Sequence, residues 1–175
     1  MINDEKFNWN LKDIFESKDA FESAKIELKK YKEELIKFHG KLNSAEAIAD
    51  FYELKENAYL IYSKLSCYVS LNFHQNMSNQ ESSKMYKDIE ALGTEFSSSI
   101  SFATPEISEN SDEDLDEFLN NKRLNKYKRS IKNIIKAKKH ILNKDIEKIL
   151  SKYAEVFGVS ENAYEIFTTT EFEFD

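Results

Sequence analysis

Three histidines, one cysteine and 32 carboxylates are the residues of this 175-residue chain whose types suit catalytic or metal chemistry. His39, His74 and His140 lie far apart, and none falls in H-E-x-x-H, where two imidazoles one helical turn apart hold zinc and the glutamate activates water. Each is expected in a structural or surface role. His140, after Lys138 and Lys139 near a helix end, stands where a cation favours the dipole. Cys67 has no partner for a disulfide or a thiolate cluster within the chain. In its tyrosine-rich surroundings it reads as a small core residue rather than a nucleophile. The patterns G-x-x-x-x-G-K-[ST], G-x-G-x-x-G and G-x-S-x-G are absent, so phosphate cradles and a nucleophile elbow are missing in their usual forms. Among so many carboxylates some pair always looks catalytic, and a pair means nothing without a cleft and a shifted pKa. No catalytic, cofactor-binding or metal residue is assigned.

The elements that would position such side chains read as helices. With 3 glycines, 1 proline, 33% charged and 41% hydrophobic residues, the punctuation that sheets require is scarce. The expected class is all-α, an antiparallel helical bundle with long helices that ends in the start of a β-strand. Residues 1–175 are read as one helical domain: 1–108 an arm plus three long helices, 109–175 a second helical layer and the terminal strand.

The arm, FNWNLKDIF, is expected to lay Phe7, Trp9, Leu11, Ile14 and Phe15 on the body. Ser17, Lys18 and Asp19 offer N-caps, with Asp19 and Glu22 at capping-box spacing, for a helix from about Asp19 to Phe38. Phe21, Ala24, Ile26, Leu28, Tyr31, Leu35 and Phe38 share its apolar face, and Gly40 suits a left-handed C′ position. Ser44 heads a helix of about thirty residues carrying Ile48, Phe51, Tyr52, Ala58, Tyr59, Tyr62, Leu65, Val69 and Phe73. Ser78 and Glu81 form a second capping-box spacing before Met85, Ile89, Leu92, Phe96 and Ile100, a core stripe. Gly93 beside that stripe costs roughly 1 kcal/mol against alanine, which a close helix contact would explain. Pro105 is expected to stop this helix and to push Thr104 out of the helical region.

Beyond it, Ser111 heads an acidic short helix, SDEDLDEFL. A basic run from Lys122 to Lys152 follows, threaded by Leu124, Tyr127, Ile131, Ile134, Ile135, Ile141 and Leu142, which sets the lysines outward. Asn143 is expected to cap a helix with Ile146, Ile149, Leu150, Tyr153 and Phe157 ending at Gly158, and Ser160 a last one with Ala163, Tyr164 and Phe167. Thr168 to Thr170 and the alternating Glu171-Phe172-Glu173-Phe174 read as the beginning of a strand.

Charge and hydropathy narrow the partners. Residues 1–120 hold 13 Lys/Arg against 24 Asp/Glu, and 121–175 hold 12 against 8, for an overall −7. The basic run could track a phosphate backbone with Tyr127 and Tyr153 stacking on bases, but a solvated helix face is preferred, and no nucleic-acid partner is expected. No stretch approaches the ~18 apolar residues of a membrane span, and MINDEKFNWN lacks a secretory apolar core. A cytoplasmic protein without a membrane partner is expected, and the sequon at Asn76-Met77-Ser78 is then idle.

Several phrases, in order, resemble the N-terminal domain of oligoendopeptidase F, in the thimet-oligopeptidase-like (M3) family of zinc metallopeptidases. They are Trp9-Asn10-Leu11-Lys12-Asp13-Ile14-Phe15, Phe38-His39-Gly40-Lys41-Leu42, Leu65-Ser66-Cys67-Tyr68 with Gln80 beyond, and Ser101-Phe102-Ala103-Thr104-Pro105-Glu106-Ile107. Leu124-Asn125-Lys126-Tyr127, His140-Ile141-Leu142 and Glu147-Lys148-Ile149-Leu150-Ser151 continue them. The resemblance implies a non-catalytic helical domain that covers the active-site cleft of a longer enzyme and limits substrates to short peptides. Its partners would be its own C-terminal catalytic domain and those peptides. Zinc belongs to that parent, because the family's H-E-x-x-H is absent here. The alternative is a free-standing helical interaction module, and an apolar face left uncovered in the isolated chain would favour self-association.

Overall fold

The computed structural model describes residues 9–75, 77–138, 146, 149–151, 153 and 163–171. Phe7, His140, Ile141, Leu142, Asn143, Phe157, Gly158, Ser160 and residues 172–175 lie outside them. Three long helices form the first layer: α1 (Lys18–Ile36), α2 (Ala45–Gln75) and α3 (Gln80–Ser99). Short connections make α2 the antiparallel neighbour of both others, and it carries the longest buried stripe: Ile48, Ala49, Phe51, Ala58, Leu65, Val69 and Phe73. The second layer holds α4 (Ala103–Ser108), α5 (Asp112–Phe118), a 3-10 segment (Lys122–Tyr127) and α6 (Lys128–Ala137), which presents Ile131 and Ile134 to the core.

The periodicity holds for most of the core. Phe21, Leu28 and Leu35 of α1, and Ile89, Leu92 and Phe96 of α3, are buried, with Ile100 just beyond. Ile26 is an exception at 56% exposure, because its two-residue offset from both Ala24 and Leu28 turns it across the helix from the stripe. Trp9 is likewise exposed rather than laid on the body, while Phe15 does pack, edge-on to Phe21 and Tyr68 at 5.6 and 5.4 Å.

Helix termini depart from the expected caps by a residue or two. Ser17 caps α1, its hydroxyl accepting from the Ala20 amide, and Glu22 binds Lys25 instead of closing a capping box. Asn79, not Ser78, caps α3, its side-chain oxygen accepting from the Glu81 and Ser82 amides, because the helix begins at Gln80. Ser44 and Ser111 cap as expected. Gly40 has φ +79°, the left-handed conformation the turn before α2 demands.

Pro105 is not the stop. The helix α3 ends at Ser99, and Pro105 sits in the first turn of α4, where its missing amide hydrogen would have had no intrahelical acceptor. Thr104 is helical too. No strand occurs among the described residues: Phe167–Glu171 winds as a π-helical turn after helical residues 163–166, and Thr168 and Thr169 hydroxyls donate back to carbonyls in it. The side chains of Ile146, Ile149, Leu150, Tyr153, Tyr164 and Phe167, assigned by the sequence to the last two helices, are exposed.

Gly93 has the close contact its place in a helix required. A Cβ there would stand 2.5 Å from Cζ and 2.6 Å from Cε2 of Tyr62 on α2. Gly93→Ala is expected to gain about 1 kcal/mol of helix propensity but to lose roughly 1–3 kcal/mol to overpacking, a net loss. In a Tyr62→Leu background the clash goes and the same change should stabilise; chemical denaturation of the four variants reads the reversal, and additive effects would refute it.

Candidate functional site

The side chains that could ligate a metal are held apart. His39 precedes α2 and lies edge-on to Phe102, ring centres 4.8 Å apart, whereas His74 ends α2 with Nδ1 3.4 Å from a Glu165 oxygen. A helix of 31 residues separates them by about 45 Å at its usual rise. Cys67 is exposed, not a core residue, because it points away from the stripe of Leu65 and Val69. Among the described residues no group of three or more His, Cys, Asp or Glu could hold a metal ion, so this donor set does not fit zinc. No described helix is long and apolar enough to cross a membrane.

Two of the sequence phrases do meet. Glu106, 7% exposed on α4, accepts hydrogen bonds from the Gly40 amide on Oε2 and the Leu42 amide on Oε1, both 2.8 Å. One turn later, Asn110 Nδ2 donates to the Leu42 carbonyl at 2.9 Å. The loop between α1 and α2 thus has the Gly40 and Leu42 backbone groups taken up by two side chains, Glu106 in α4 and Asn110 just past its end.

The basic run is likewise used internally. Arg123 spans Asp50 and Glu53 of α2 at 2.6 and 2.8 Å, Lys126 reaches Glu56, and the Tyr127 hydroxyl donates to Glu56 at 2.6 Å. Lys138 bridges back to Asp112 at 2.7 Å. These contacts hold the Glu53 and Glu56 carboxyls below their ordinary pKa, through hydrogen bonds from Arg123 and from Lys126 respectively, and raise those of Arg123 and Lys126. A carboxyl depressed on folding adds stability above its ordinary pKa and loses it as pH falls through the depressed value. Arg123→Ala should therefore cost little, as exposed pairs do, and its stability difference from wild type should shrink at high salt and in acid. A difference unchanged by both in urea titrations would show that the clamp acts by packing.

On the adjoining ridge of α2, Tyr52, Lys55 and Tyr59 follow at i, i+3 and i+7, so they share one face. Lys55 Nζ lies 6.0, 5.7 and 5.7 Å from the ring centres of Phe51, Tyr52 and Tyr59. Tyr52 in turn stacks on Tyr127, centres 4.8 Å apart. Burial pushes the Tyr52 phenol up to about 12, with Tyr127 adding to the shift, and pushes the Lys55 ammonium down. The sequence carries Tyr52 and Tyr59 along the apolar period of α2 and gives Lys55 no role; the signal that marks it is a lysine flanked by aromatics at −4, −3 and +4.

A groove of about 290 Å³ between the starts of α1 and α3 is lined by Lys18, Phe21, Tyr68, Glu81 and Met85 among others. Its Lys18–Glu81 pair, 3.8 Å apart, is largely exposed on both sides, so it offers no desolvated acid and base.

Comparison with known proteins agrees with this architecture. A family model described as Oligopeptidase F matches residues 106–174. An oligoendopeptidase F homolog of Borreliella burgdorferi is 27% identical over 99% of this chain and 30% of its own length. Oligopeptidase PepF of Bacillus subtilis is 26% identical over 95% of the chain and 25% of its own length. The crystal structure of oligoendopeptidase-F from Enterococcus faecium shares the fold, with a TM-score of 0.81 at 21% identity over 90% of this chain and 30% of that one. The chain therefore spans about 30% of the length of the first of these relatives.

Proposed function

We propose that this chain belongs to the oligoendopeptidase F family and serves as the non-catalytic N-terminal helical domain of a cytoplasmic zinc oligoendopeptidase. There it covers the active-site cleft of its own C-terminal catalytic domain and limits access to short peptides. The observation that carries this reading is the match along nearly all of the chain to under a third of each relative. By the family resemblance, zinc and the bond-breaking step belong to the remainder of the parent. Residues 1–175 act as one unit, with layers 1–108 and 109–175 joined by the Asn110–Leu42 and Arg123 contacts.

The gene downstream of Asp175 is expected to encode H-E-x-x-H, and a stop codon with no such partner sinks the proposal. The chain alone, given zinc and a quenched fluorescent peptide, should show no turnover; zinc-dependent hydrolysis would overturn the assignment. A second reading, a helical module that binds through its surface, is favoured by one observation: Ile149, Leu150, Tyr153 and Tyr164 are exposed. Self-association of the isolated chain would support it, and a monomeric mass in concentrated solution counts against it.

A further inference from the structure

Lys55 is a half-buried cation that makes no ion pair or hydrogen bond with any described residue. Carboxylates are not scarce on its helix, but they are engaged: Asp50 and Glu53 hold Arg123, and Glu56 holds Lys126 and Tyr127. The Tyr52 and Tyr59 hydroxyls on either side of Lys55 also lack a hydrogen-bond acceptor among the described residues. A partly desolvated ammonium and two phenol donors thus share one ridge of α2, and among the described residues ring faces compensate the charge.

Resting on the function proposed above, we propose that Tyr52, Lys55 and Tyr59 form a binding site for the free C-terminal carboxylate of a short peptide. The ammonium supplies a charge-assisted hydrogen bond to the carboxylate, the phenols supply further donors, and the Tyr52 and Tyr59 rings give apolar surface to the residue that bears it. The chemistry favours a monoanion over a polyanion. One lysine on a chain of net charge −7 repels a phosphate backbone, whereas a single carboxylate meets its one counter-charge at close range.

The test uses this chain with its lysines reductively 13C-methylated, the Lys55 signal being assigned by its loss in Lys55→Met. N-acetyl-dialanine is titrated as the free acid and as the C-terminal amide, with acetate as a third arm. The Lys55 signal is expected to shift saturably with the free acid, several-fold more weakly with acetate, and not with the amide. Lys64, exposed on the same helix, should stay still. Tyr52→Phe should weaken the free-acid response. No shift at Lys55, equal shifts with acid and amide, a response to acetate equal to that of the peptide, or a parallel shift at Lys64 would each overturn the proposal. Such a failure leaves the downstream zinc motif and the turnover assay untouched, so it is separable from a failure of the functional reading.

Discussion

Replacing Glu106 with alanine is expected to destabilise the chain by roughly 1–3 kcal/mol, since of the two amides it leaves unpaired the one on buried Leu42 has no other acceptor, while the one on exposed Gly40 can turn to water. The amides are those of Gly40 and Leu42, and no other group among the described residues accepts from them. Leu42 is itself fully buried, so water cannot replace the carboxylate at its amide without moving the core. Glu106→Gln keeps one acceptor but turns an NH2 toward the other amide, and an intermediate loss is expected. Urea unfolding with an unchanged m-value reads both. A loss below about 0.5 kcal/mol for the alanine variant, the range of ordinary surface substitutions, would show that the loop is held by packing alone.

That lock also marks the border of what the sequence makes legible. Apolar spacing places the α2–α3 hairpin because Ile89, Leu92 and Phe96 must share a face whatever they pack against. It cannot single out Glu106 from 32 carboxylates, because the partners lie more than sixty residues away and are backbone groups. Local rules misplace the α3 cap because Ser78 and Asn79 both qualify, and the choice depends on which backbone turns first. Pro105 misleads in a related way: its ring forbids a helix interior but suits a first turn, and only the break at Ile100 decides which applies. Tyr52 and Tyr59 fit the apolar period equally well as core or as a ridge, since a phenol can satisfy either. What separates the two is Arg123 drawing off the neighbouring carboxylates from another layer.

Phe51→Ala is expected to cost about 3–5 kcal/mol, in the range for large aromatic truncations in a core. The ring is 1% exposed and meets Phe38, Tyr52 and Phe102 edge-on at 5.8, 5.8 and 6.1 Å, so it joins α1's end, α2 and the approach to α4. Phe51→Leu separates volume from ring geometry: it fills most of the space and should cost clearly less, leaving a residue of about 0.5–1.5 kcal/mol per lost aromatic pair. The ring is also one of three faces beneath the Lys55 ammonium. If those faces compensate its desolvation, Phe51→Leu should lower the pH at which the methylated Lys55 signal titrates, because removing a ring favours the neutral amine. Equal denaturation midpoints for the alanine and leucine variants would mean that the cavity collapses without cost. A Lys55 titration unmoved by leucine would mean that the Tyr52 and Tyr59 rings suffice to hold the cation.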